Sequence, residues 1–104
     1  MGKFKIPKAL KPRLRRAAEE HGYDSGTAMA ERLISRRLKG YDLPDIKGKK
    51  QFKDQLRRVA EDEGYASLEE LIEHWLEEGL SAYEEAGDDP QELEERLRGL
   101  GYIE

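Results

Sequence analysis

The chain has no cysteine among its 104 residues. Disulfides and thiolate-bound metal sites are thereby excluded, which suits a reducing compartment. No apolar run approaches the roughly 18 residues that a membrane-spanning helix needs. No signal-peptide pattern opens the sequence, so a soluble cytoplasmic protein is the expectation. Glycines stand singly, so there is no Gly-rich phosphate loop. Hydrophobic residues make up 37% and charged residues 40%, which implies a small core under a strongly ionic surface. At this length a single domain, residues 1–104, can bury roughly two thirds of its unfolded surface.

The net charge of −4 conceals a polarised chain. Residues 1–53 hold fifteen Lys/Arg and six Asp/Glu, a balance of +9, and residues 54–104 hold four and seventeen, a balance of −13. A cationic end of this kind suits a polyanionic partner. Equally, the two halves can neutralise each other within the molecule.

What the sequence does have is an internal repeat. Leu14 to Leu38 and Leu56 to Leu80 align without a gap at an offset of 42, with ten of 25 positions identical. Leu14/Leu56, Arg15/Arg57, Arg16/Arg58, Ala18/Ala60, Gly22/Gly64, Tyr23/Tyr65 and Ser25/Ser67 are among them. Such a period indicates one supersecondary unit used twice, each copy burying the apolar face of the other. Repeat one spans 3–39, a linker 40–45, repeat two 46–83, and a C-terminal helical segment 89–104.

Within each copy the punctuation is local chemistry. Lys3, Phe4, Lys5 and Ile6 alternate up to Pro7, which predicts a short strand with Phe4 and Ile6 inward. Residues 46–50 (IKGKK) hold the same slot in copy two, with Gly48 in place of the inward Ile6. Pro12 suits the first turn of a helix. Gly22 and Gly64 suit left-handed helix stops, each followed by a tyrosine that folds back. Ser25 and Ser67 suit N-caps, and Ser67 with Glu70 forms a capping-box pattern. Leu68, Leu71, Ile72, Trp75, Leu76, Leu80 and Tyr83 follow helical spacing. Pro90 opens a shorter amphipathic helix that docks on the body or on a partner. The expected core is Leu14, Ala18, Met29, Leu33, Leu38, Leu56, Ala60, Leu71, Ile72, Trp75 and Leu76.

The order of KFKI before Pro7, Leu10, Leu14, Ala18, Gly22-Tyr23 and, in copy two, GYASLEELIEHWL resembles the ribbon-helix-helix (MetJ and Arc type) family of DNA-binding repressors and antitoxins. The resemblance implies a mainly α fold: a short N-terminal strand plus two helices, twice, followed by a short C-terminal helix. It implies that one chain forms the pseudo-dimer that family members make from two, with residues 3–7 paired against 45–50. Homodimerisation of the whole chain remains the other arrangement. It further implies a ribbon in the major groove of double-stranded DNA, with Lys3, Lys5, Lys47 and Lys49 toward base edges. Phosphate contacts fall at the helix starts, on Ser25, Gly26, Thr27, Ser67 and Leu68. The expected function is that of a small DNA-binding regulator, repressor or antitoxin-like.

The alternative is a non-enzymatic protein–protein interaction module or small adaptor subunit, acting through the acidic second half and the C-terminal helix. There Leu93, Leu97, Leu100 and Tyr102 are the candidate partner contacts. A strand at 3–7 paired with 45–49 favours the first reading, and unpaired segments favour a duplicated four-helix adaptor. No catalytic constellation is apparent, since His21 and His74 occupy non-equivalent positions with no nucleophile motif beside them. Glu70, His74 and Glu78 share a helix face but lack the further ligands of a metal site. No cofactor is expected.

Overall fold

The computed structural model describes residues 4–41 and 51–102. These residues form a 3-10 turn at Lys8–Leu10 and five α-helices: α1 Lys11–His21, α2 Gly26–Lys39, α3 Gln51–Asp62, α4 Leu68–Ala86 and α5 Pro90–Leu100.

The two copies fold by the same local devices. In copy one, α1 carries Pro12 in its first turn and stops at Gly22, whose φ of 78° is the left-handed conformation. The Tyr23 amide then donates to the Ala18 carbonyl at 2.9 Å, closing the helix end. Copy two repeats this with Gly64 at φ 82° and the Tyr65 amide bonded to the Ala60 carbonyl at 2.8 Å. Each second helix starts on a serine side chain. Ser25 Oγ accepts from the Ala28 amide at 3.0 Å, and Ser67 Oγ from the Glu70 amide at 3.2 Å.

The core obeys the same offset. Leu14, Ala17, Ala18, Met29, Ala30, Leu33, Ile34 and Leu38 are buried. Their counterparts Leu56, Val59, Ala60, Leu71, Ile72, Trp75, Leu76 and Leu80 are buried too. Contacts between copies are not symmetric: α1 packs against α4, and α3 has no comparable packing against α2 among the described residues. The Tyr23 and Tyr83 hydroxyls lie 3.0 Å apart; their counterparts are Tyr65 and Tyr41, and burial, with Glu63 adding to it, raises the pKa of Tyr41. α2 packs against α4, with α1 against both α2 and α4, and α3 and α5 against α4.

The expected ribbon is overturned. Among the described residues there is no β-strand, and residues 4–7 run irregularly into the 3-10 turn. The duplicated strand-helix-helix fold is therefore replaced by two helical hairpins and a fifth helix. The alternation in KFKI reports side-chain placement only. Phe4 is buried and stacks on Phe52 with ring centres 6.2 Å apart, while Lys5 is exposed. Packing between two aromatic rings holds this segment where a ladder of backbone hydrogen bonds was expected. The expected second strand, 46–50, lies outside the described residues, as does most of the linker.

The copies differ where α2 and α4 meet. Arg37 in α2 aligns with Gly79 in α4. A Cβ on Gly79 would lie 3.1 Å from Leu33 Cδ1 and 3.3 Å from the Tyr102 ring. Tyr102 enters that gap because Gly101, at φ 96°, ends α5 and turns the chain back. Its hydroxyl donates to the Trp75 carbonyl. The Arg37 guanidinium lies 4.9 Å from the Trp75 ring centre and 5.3 Å from that of Tyr102, and donates to Glu78 Oε1 at 2.9 Å. A flat cation between two π faces, with one carboxylate to neutralise it, is stable in a half-buried site.

Candidate functional site

The charge polarity of the chain survives folding only in part. Two cations of the first half are consumed by acids of the second. Arg13 donates to both oxygens of Glu84, at 2.8 and 3.0 Å, and to Glu77 at 2.8 Å. Arg37 is held by Glu78. Lys5, Lys8, Lys11, Arg15, Arg16, Arg32, Arg36 and Lys39 have no ion-pair partner among the described residues.

The expected phosphate contacts lie where helices begin. Ser25, Gly26 and Thr27 form the start of α2, and Ser67 and Leu68 that of α4. Both serine hydroxyls are used as caps, so their availability to a ligand is reduced. Gly26 lies tight against α1, where a Cβ would be 3.2 Å from the Arg15 amide nitrogen. The start of α2 is thereby fixed beside the backbone that carries Arg15.

In copy two this corner is a pocket of about 300 Å³. Lys53 and Arg57 of α3 line it together with Tyr65, Ser67, Leu68 and Glu69. Of its nine lining residues, six are identical at the equivalent positions of copy one: Lys53/Lys11, Arg57/Arg15, Ala60/Ala18, Glu61/Glu19, Tyr65/Tyr23 and Ser67/Ser25. Ala18 and Ala60 are core and the serines are caps, so packing accounts for those. Lys11, Lys53, Arg15 and Arg57 are exposed, and among the described residues no internal contact explains their duplication. Arg57 approaches Asp54 at 3.8 Å, with both side chains largely solvated. Glu19 and Glu61 are duplicated as well, so each corner pairs two cations with at least one acid. The anion-attracting groups are thus the two cations and the free first-turn amides of the helix, acting together.

The other sequence-derived candidates fare differently. Lys3, Lys47 and Lys49 lie outside the described residues, and Lys5 is exposed on a segment that is not a strand. Leu97 and Tyr102, candidates for partner contact, are buried in the chain's own core, because α5 docks on α4. Leu93 and Leu100 are half-buried against the same core. His74 Nε2 lies 3.5 Å from Glu78, and its Nδ1 bonds the Tyr65 hydroxyl. Among the described residues no group of three His, Asp or Glu side chains is arranged to hold a metal ion. None of the five helices is long and apolar enough to cross a membrane.

Lys11 and Lys53 were not apparent as a pair from the aligned segment, which begins at Leu14. The signal that finds them is identity between copies at exposed positions, extended three residues upstream. No protein-family model matches this chain, and neither a curated protein nor a solved structure gives a match.

Proposed function

We propose that the protein is a small, non-enzymatic DNA-binding regulator that grips the backbone of double-stranded DNA at two equivalent corners. One corner comprises Lys11, Arg15 and the start of α2; the other comprises Lys53, Arg57 and the start of α4. The observation that carries this reading is the duplication of exposed cations beside both helix starts. A duplex repeats its phosphates regularly and presents two strands, so a ligand of that kind rewards two like sites on one molecule. The further unpaired cations of the first half add a sequence-independent attraction. This reading does not use a lysine ribbon in the major groove, and phosphate contacts position a protein without specifying sequence.

The test is fluorescence anisotropy with a mixed-sequence duplex, titrated with salt. Affinity should fall steeply as salt rises, because each neutralised phosphate releases counterions. Arg15→Ala combined with Arg57→Ala should weaken binding and flatten that slope by about two contacts' worth, with the circular dichroism spectrum unchanged. Absence of binding at low salt, or a double variant that binds like the parent, rejects the reading.

A further inference from the structure

The outer face of α4 carries a second kind of surface. A groove of about 420 Å³ is lined by Tyr65, Glu70, Glu73, His74 and Glu77. His74 and Glu77 also line an adjoining groove of about 500 Å³ between α4 and α5, whose walls include Glu85, Ala82, Gly99 and Leu100. The two form one trough with carboxylates along it and an apolar patch at one end. Three of its carboxylates are already paired: Glu77 with Arg13, Glu78 with Arg37 and Glu85 with Arg96. Glu70 and Glu73 have no ion-pair partner among the described residues.

Two observations separate this trough from an ordinary solvated helix face. The first comes from the repeat. The five positions Tyr65, Glu70, Glu73, His74 and Glu77 correspond to Tyr23, Ala28, Glu31, Arg32 and Ser35, and those five also line one groove, on α2. The cavity is therefore built twice, yet copy two holds three carboxylates where copy one holds one carboxylate and an arginine. The buried positions are apolar in both copies, whereas this face is neutral in copy one and carries three negative charges in copy two. The second observation is Gly99. It lies within α5, where alanine favours the helix by up to about 1 kcal/mol, and a Cβ there would meet nothing within 4 Å. No internal packing calls for glycine at this position. Its missing side chain leaves the apolar end of the trough open.

We infer that this trough is a docking site for a cationic amphipathic helix of a partner protein. Its lysines or arginines face Glu70 and Glu73, and one large apolar side chain seats over Gly99, Ala82 and Leu100. An elongated groove with charge along its length and an apolar end matches the helix-in-groove mode of recognition. Its sign excludes nucleic acid from this face, so the inference stands apart from the DNA reading.

The test uses the full chain and a labelled synthetic amphipathic helix of lysine and leucine, followed by anisotropy. At about 10 mM salt the Debye length is about 30 Å and at 0.15 M about 8 Å, so binding should weaken between the two without vanishing. Glu70→Lys with Glu73→Lys should weaken binding by about tenfold or more. Gly99→Trp fills the apolar end and should weaken it by about tenfold without lowering the melting temperature. If Gly99→Trp unfolds the chain, the two surface glutamates decide, since neither touches the core.

No binding by the parent overturns the inference. So does unchanged binding in the Gly99→Trp variant at 0.15 M salt, which would show charge attraction without a seat. Sedimentation of the parent alone as a multimer that Gly99→Trp dissociates also overturns it, because a second copy would then hold the trough. The trough variants should leave duplex affinity undiminished, and the Arg15/Arg57 variant should leave peptide affinity unchanged, so the two readings fail independently.

Discussion

The ring of Tyr102 occupies the space that a side chain on Gly79 would need. An added Cβ would stand 3.3 Å from both the ring's ζ carbon and its hydroxyl oxygen. Gly79→Ala therefore sets two effects against each other. Alanine favours a helix by about 1 kcal/mol over glycine, while overpacking a filled core costs about 1–3 kcal/mol. The neighbours are Leu33 and Tyr102 at their tightest, so strain wins. A net loss of about 1 kcal/mol is expected in urea unfolding, and a gain in stability would show that Tyr102 does not seat there.

Tyr102 also makes stability depend on pH. Burial pushes its phenol up to about 12, against the lowering effect of Arg37. An unfolded tyrosine ionises near 10, so between about pH 10 and 12 the unfolded chain gives up a proton that the folded chain keeps. This contribution is complete below pH 10 and is lost as pH rises toward 12. Burial raises Tyr83 in the same direction, with Tyr23 adding to it. Unfolding free energy measured across this range should decline, and Tyr102→Phe should decline less steeply.

The two serine caps are separate devices on separate helices. Ser25→Ala and Ser67→Ala should each cost about 1 kcal/mol. The double variant should lose the sum to within about 0.5 kcal/mol, since the caps share no partner. A double variant much worse than the sum would mean that the helix starts communicate.

Arg13 grips Glu84 with two bonds and reaches Glu77 as well, yet both carboxylates are half exposed. The guanidinium holds the Glu84 carboxyl below its usual range. Solvent screening keeps such a contact near or below about 1 kcal/mol. Arg13→Ala should therefore destabilise the fold slightly at low salt. The difference should fade near 1 M salt, where the Debye length is about 3 Å.

Much of the fold is legible in the sequence because it is written in local chemistry. Gly22 and Gly64 mark helix ends that need a left-handed residue, Ser25 and Ser67 mark helix starts, and the offset between them gives two hairpins. The strand is not legible, because two alternating apolar residues state which side chains are buried and nothing about backbone pairing. Phe4 satisfies that pattern by stacking on Phe52. Ile34 escapes a reading based on one apolar stripe. α2 lies against both α1 and α4, so it buries adjacent columns, Leu33 and Ile34 together. Tyr102 reads as a partner contact in sequence, since only the alignment of Arg37 with Gly79 hints at a gap waiting inside the chain. The trough is partly legible as acid on one helix face, but its apolar end needs α5 folded back.

The same mismatch also selects which hairpin pairs with which. Equivalent units on different molecules invite exchange, and two first-copy hairpins carry the same apolar faces that meet within one chain. In such a mispaired dimer Arg37 would meet Arg36 of the other molecule, the counterpart of Glu78. Its guanidinium would also lack the aromatic bed that Trp75 and Tyr102 supply. Two like charges would replace one ion pair, and the space that Gly79 leaves for the Tyr102 ring would be taken by a second Arg37. Two adjacent unequal positions, Arg36/Glu78 and Arg37/Gly79, thus act as a key that lets the chain recognise its own other half and refuse a stranger's first half.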